Sequence, residues 1–182
     1  MIHAIRKKIR RFRRDETGNV TVEFVILFPF LFSIMLSIIE SGVLMLRQVM
    51  LDRAVEISVR ELRLGNITNI THEEMKTRIC RDAVVLGSCA ETILLELRPI
   101  DTVTWQPLNR NATCYDRAAE INPPSTLIRG GESELMMVRA CVMFSPFFEI
   151  TGYAMALPRD ASGLFGLVAT SSFVNEPEND LF

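Results

Sequence analysis

Gly18-Asn19-Val20-Thr21-Val22-Glu23-Phe24 opens a stretch that runs on to Ile39 and Glu40, and how it is read decides the architecture. From Val20 to Ile39 there are twenty residues whose only charge is Glu23. A helix of that length, at ~1.5 Å per residue, crosses the ~30 Å hydrocarbon core of a bilayer. A carboxylate held in hydrocarbon costs at least ~2.5 kcal/mol by insertion scales, so Glu23 implies a compensating charge brought by something else. The run exceeds the usual signal-peptide core of ~7–15 residues and no small-x-small cleavage site follows it, so a single span is expected and not a cleaved secretory signal. Pro29 inside it removes one backbone donor and clashes with the Val25 carbonyl, predicting a kink that Ser33 eases by bonding back to the Pro29 carbonyl.

Upstream, residues 1–18 carry Arg6, Lys7, Lys8, Arg10, Arg11, Arg13 and Arg14 against Asp15 and Glu16. Taking these from the totals of 20 basic and 22 acidic side chains leaves 13 against 20, a net −7 for the remainder. A basic cluster directly before an apolar helix is the positive-inside pattern, which keeps the leader cytoplasmic and argues against a nucleic-acid grip.

Downstream, a helical pattern persists to about Leu64. A rotation of 100° per residue places Met50, Leu51, Ala54, Val55, Ile57 and Leu62 on one side and Asp52, Arg53, Glu56, Arg60 and Arg63 on the other. Arg47 and Glu61 interrupt the apolar side. This is the pattern of a stalk packed under a domain or against other helices, with Gly65-Asn66 as its stop. The boundaries expected are a basic leader over 1–18, a membrane helix over 19–40, an amphipathic stalk over 41–65 and an extracytoplasmic domain over 66–182.

Within that domain Thr71-His72-Glu73-Glu74 has the form of a capping box opening a short helix through Met75, Ile79 and Ala83, ended by Gly87. Strands are expected over Thr92–Leu97, Val103–Gln106, Glu134–Phe144 and Leu164–Val174, with turns at Asn122-Pro123-Pro124 and Gly130-Gly131. The fold class is α+β: a long N-terminal helix, a short helix and a small antiparallel sheet. The acceptor-like tripeptides beginning at Asn66, Asn69 and Asn111 are read as polar loop residues.

Cys80, Cys89, Cys114 and Cys141 all follow the span, on the side that the charge rule places outside the cytoplasm. An even count in an oxidising compartment suggests two disulfides. Four cysteines allow three pairings, and sequence does not choose among them. The pairing expected is Cys80 with Cys89, stapling a helix end to the next turn, and Cys114 with Cys141, tying a loop to a strand. Zinc is the competing use, against which stand the absence of Cys-x-x-Cys and a single downstream histidine, His72.

Chemistry has little to work with. The histidines are His3 and His72, and no nucleophile elbow, His-Glu-x-x-His or phosphate-cradling loop occurs. Glu73-Glu74 and Glu132 with Glu134 read as solvated acids. No catalytic residue, cofactor, metal site or small-molecule substrate is assigned.

Gly18, with Glu23 five residues on and then Phe24, resembles the processing site of type IV pilin-like precursors, which prepilin peptidase cuts after the glycine. The longer string from Thr17 to Phe24, with Pro29 and then Glu40-Ser41-Gly42, resembles the N-terminal segment of the TadE/TadF/TadG-like proteins of tight-adherence (Tad) pilus systems. Asn175-Glu176-Pro177 resembles an ending common in that group. The resemblance implies a minor pilin or pseudopilin that helps to assemble an adhesive pilus, with prepilin peptidase, other Tad subunits, an inner-membrane assembly platform and the membrane itself as partners. It implies a cut between Gly18 and Asn19 and subunit pairing through Glu23 and Phe24; Phe24 stands where such pilins often carry Tyr. Location would be the bacterial inner membrane, N-terminus cytoplasmic and C-terminal domain periplasmic, with entry into an extracellular pilus. The alternative is an uncleaved single-pass envelope protein whose outer domain binds a ligand or surface.

Overall fold

The computed structural model describes residues 19–64, 71–104, 114, 128, 130–131, 133–160 and 163–176. Its elements in chain order are α1 (Asn19–Arg63), α2 (His72–Asp82), α3 (Cys89–Thr92), β1 (Ile93–Pro99), β2 (Leu135–Phe144), α4 (Gly152–Ala156) and β3 (Phe165–Val174). This is an α+β fold in which a long apolar helix and shorter helices accompany a three-stranded antiparallel sheet of order β1-β2-β3.

The 45-residue α1 is one unbroken helix that passes through Pro29. The back-bond near the proline falls one turn later than expected, with Ser37 Oγ donating to the Ser33 carbonyl at 2.9 Å. The helix divides by surface. Residues 20–35 are all exposed, whereas from Glu40 onward one stripe is covered by the sheet and α2. That stripe runs through Glu40, Leu44, Leu51, Val55, Ser58 and Leu62, spaced by three, four or seven as a single helix face requires. Ile57 departs from the expected face: it lies ~120° round from Leu51 and is exposed, while Ser58 and Val59 take the buried positions. Arg47, which interrupts this face, places its guanidinium 4.9 Å from the Phe144 ring centroid, a cation–π contact that keeps its charge over an aromatic face.

The sheet offers α1 and α2 one apolar face. Ile93, Leu95 and Leu97 of β1 pair in register with Val142, Ala140 and Val138, and Phe165 and Ala169 of β3 pair with Phe144 and Ala140. These residues join Leu51, Met75 and Ile79 in a continuous core. Full burial of each large aliphatic side chain contributes ~1.5–3 kcal/mol before entropy is counted, so the stalk half of α1 is held mainly by this face. On the reverse face Glu96 binds Arg98 at 3.1 Å and Arg139 at 3.5 Å.

α2 begins with a complete capping box: Glu74 N–H donates to Thr71 Oγ1 at 3.3 Å and Thr71 N–H donates to Glu74 Oε2 at 2.9 Å. Those bonds to Thr71 hold the Glu74 carboxyl below its ordinary value. The helix ends at Asp82 with Ala83 as its cap, earlier than the expected Gly87: Ala83 N–H makes the last helical bond, to the Ile79 carbonyl at 2.9 Å, and its backbone then leaves the helix at φ −95°, ψ 60°. Burial lowers the pKa of His72, the first residue of this helix. Arg78 reaches back to Glu61 at 2.7 Å and ties α2 to the far part of α1.

Two strand expectations change. Thr92 belongs to α3, and β1 extends to Pro99. Val103 and Thr104 form a turn and not a strand, because Asp101 Oδ1 accepts both of their backbone N–H groups, at 2.8 and 3.1 Å. The same bonds, after the one from the Thr104 hydroxyl, hold the Asp101 carboxyl low. Trp105 and Gln106, Gly65-Asn66 and Asn122-Pro123-Pro124 lie outside the described residues.

Candidate functional site

Three places where α1 meets other groups organise the molecule. At the first, the Glu40 side chain is fully buried, and its two oxygens accept the backbone N–H groups of Phe147 and Phe148, each at 2.9 Å. Both donors lie in the connection from β2 to β3, so a carboxylate at the base of the stalk clamps that connection. Charge-assisted bonds of this kind are roughly twice as strong as neutral ones. Thr151 continues the arrangement: its hydroxyl donates to the Phe148 carbonyl at 3.0 Å and accepts Ala154 N–H at 3.2 Å, capping α4.

At the second, Gln48 Nε2 donates to the Val168 carbonyl at 3.0 Å. At the third, Arg63 Nε meets Glu176 Oε1 at 3.0 Å. Between the last two contacts, the 15 steps from Gln48 to Arg63 rise ~22 Å as helix and the 8 from Val168 to Glu176 advance ~26 Å as extended chain. β3 therefore runs beside the stalk in the same direction over a comparable length. Asn175 secures the far end, its Nδ2 donating to the Gly130 and Gly131 carbonyls at 3.1 Å each. Pro177 lies outside the described residues.

Two disulfides brace this frame. Cys80 at the end of α2 is joined to Cys89 at the start of α3, and Cys114 is joined to Cys141 of β2. The second lies against Gly166 of β3, where a Cβ would stand 3.1 Å from each sulfur. The missing side chain leaves room for the disulfide, whose sulfurs would have to give by a few tenths of an ångström to admit a Cβ. Among the described residues no group of acids, histidines and cysteines is arranged to hold a metal ion.

The sequence-derived assembly residues sit at the opposite end. Gly18 lies outside the described residues, and Asn19 is the first residue of α1. Glu23 is exposed one turn further on, with no ion-pair partner among the described residues. Phe24 starts an aromatic ladder with Phe28 and Phe32, centroids 5.3 and 5.7 Å apart in turn, and Pro29 lies within it. The structure does not bring Glu23 near the cysteines or the sheet; they are separated by the bare apolar half of α1. That half is long and apolar enough to cross a membrane, and none of its most apolar window is buried. Glu40, by contrast, was not singled out from sequence as a buried group, since its partners lie 107 and 108 positions away. Its place on the stripe with Leu44 and Leu51 was the available signal.

Residues 18–60 match the family model described as TadE-like protein. The matched segment begins at Gly18, takes in Glu23, Pro29 and Glu40, and stops three residues short of the end of α1; the sheet lies outside it. The chain thus carries a TadE-like N-terminal segment. No curated protein and no solved structure matches the chain.

Proposed function

We propose that this chain is a minor pilin or pseudopilin of a Tad-type pilus, inserted in the inner membrane through residues 20–39 with its sheet domain outside the cytoplasm. Prepilin peptidase cuts after Gly18, and the subunit then joins other Tad subunits at the assembly platform. The observation that carries this reading is the match of residues 18–60 to the TadE-like model over a helix half that leaves Glu23 exposed in an apolar surface, with no ion-pair partner among the described residues.

The chemistry follows from placement. Cleavage would leave an ammonium on Asn19, and the Glu23 carboxylate of an adjoining subunit would neutralise it in a medium where an unpaired charge is costly. Asn19 and Glu23 are four residues apart, so level pairing between neighbours displaces one helix against the other by ~6 Å, one turn. The Phe24-Phe28-Phe32 ladder then supplies apolar area for lateral contact. The role is structural, a scaffold for assembly and adhesion and not a catalyst.

Glu23→Gln tests the pairing. It leaves membrane insertion and the folded domain intact, because Glu23 touches neither the sheet nor the stalk stripe, and it lowers the amount of chain recovered in sheared filaments. Unchanged incorporation would remove the pairing step, whereas absence of the unsubstituted chain from filaments would favour the uncleaved, permanently anchored alternative.

A further inference from the structure

The β2–β3 connection turns a set of large apolar side chains outward at one level of the molecule. Phe147 is 69% exposed, Ile150 83% and Met155 67%, with Tyr153 partly exposed beside them. These four fall on α4 and the turn before it, and the clamp from Glu40 to the Phe147 and Phe148 amides fixes their height along α1. Glu40 is twenty residues beyond Val20, ~30 Å along the helix, where a span of hydrocarbon length ends. Past that level Met45 (68%) and Leu46 (50%) are still exposed, ~140° and ~120° round the helix from Glu40.

Resting on the membrane-spanning reading above, we infer that the 147–155 connection lies in the bilayer interface, its Phe147, Ile150, Tyr153 and Met155 side chains entering the headgroup and upper acyl region while α1 crosses beneath it. Two observations select lipid as the occupant. The patch lies at the level of Glu40, where an apolar belt of bilayer length ends, and it mixes aliphatic groups with Tyr153, whose hydroxyl stays wet while its ring is buried. Apolar groups in such a position sink ~5–10 Å into the boundary. Glu149, exposed in the same turn, reaches the headgroup side. The domain is thereby held upright on the membrane by two attachments, the span and the connection, and the clamp at Glu40 is kept away from water.

The test uses the full chain, one copy per disc, in phosphatidylcholine/phosphatidylglycerol nanodiscs containing lipids brominated either near the headgroup or near the bilayer centre. In a Trp105→Phe background, which removes the single native tryptophan, a reporter is placed by Phe147→Trp, Ile150→Trp, Leu31→Trp or Leu64→Trp. The 147 and 150 reporters lose emission mainly to the shallow bromines, by at least roughly half the loss that Leu31→Trp shows to the deep ones, and Leu64→Trp, ~36 Å beyond Glu40, loses none. Reporters at 147 and 150 that stay bright while Leu31→Trp is quenched overturn the inference and leave the span standing. A Leu31→Trp reporter that is itself unquenched overturns both. Emission at 147 that shifts with the number of copies per disc but not with bromination assigns the patch to a second copy of the chain and overturns the lipid assignment.

Discussion

The Glu40 carboxylate accepts the Phe148 backbone N–H at 2.9 Å across 108 positions of chain, with the whole side chain excluded from solvent. Its second oxygen takes the preceding amide, so the ion is compensated by two aimed dipoles, and no cation is paired with it among the described residues. Glu40→Gln keeps the shape but turns an NH2 group toward one of the two amide donors. A loss of about 2–3 kcal/mol in unfolding free energy is expected, since a charged bond is removed and a buried donor is left unmet. Denaturant unfolding of the detergent-extracted protein measures it; a change under about 0.5 kcal/mol would mean that the clamp does not hold the domain to the stalk.

Gly166 is the second point where close approach matters. An alanine methyl there would press on the Cys114 and Cys141 sulfurs and on Met143 Sδ, at 3.1, 3.1 and 3.2 Å. Overpacking of that kind costs about 1–3 kcal/mol. In a Cys114→Ala/Cys141→Ala background the crowding falls away and most of the penalty should vanish. Equal penalties in both backgrounds would show that the strand, and not the disulfide, demands the glycine.

The capping region of α2 predicts an acid response in two stages. Burial lowers the pKa of His72 below the ordinary 6.5, with Glu73 opposing and Lys76 assisting. Folding therefore favours the neutral ring; this contribution is complete above 6.5 and is lost as pH falls through the depressed folded value. Glu74 is lowered from 4.5 by its bonds to Thr71, so its contribution is present above that value and is lost in stronger acid. Hydrogen exchange of α2 amides against pH should show protection declining first below about 6.5 and again below about 4.5, with His72→Gln removing the first stage alone. Protection that rises on acidification through the first window would contradict the assignment.

Much of this architecture can be read from the chain, and the misses have physical causes. The capping box and the strands at 135–144 and 165–174 are local signals: a cap needs three residues of spacing, and each strand is a long apolar run between turn residues. The same logic misplaces Val103, because a short run with β-branched residues looks like a strand until Asp101, two residues earlier, is seen to capture its amide. Ile57 reads as part of the apolar side of the stalk, but the covered stripe is set by which side the sheet occupies, and that admits Ser58 instead. Glu40 is the largest gap. An acid after an apolar run reads as a solvated boundary residue, and its burial depends on a connection more than a hundred positions away. Glu176 is the converse case, since its motif could be quoted from sequence but its contact with Arg63 needed the fold.

The account turns on whether the chain is cut before Asn19 so that a new amine can meet Glu23. Intact-mass and N-terminal mapping of the protein, recovered separately from membranes and from sheared filaments of cells that contain the peptidase, tests this most directly. A filament form beginning at Asn19, beside a membrane form that still includes residues 1–18, is the predicted result. Filaments containing the chain with Gly18 and its leader still attached would contradict it.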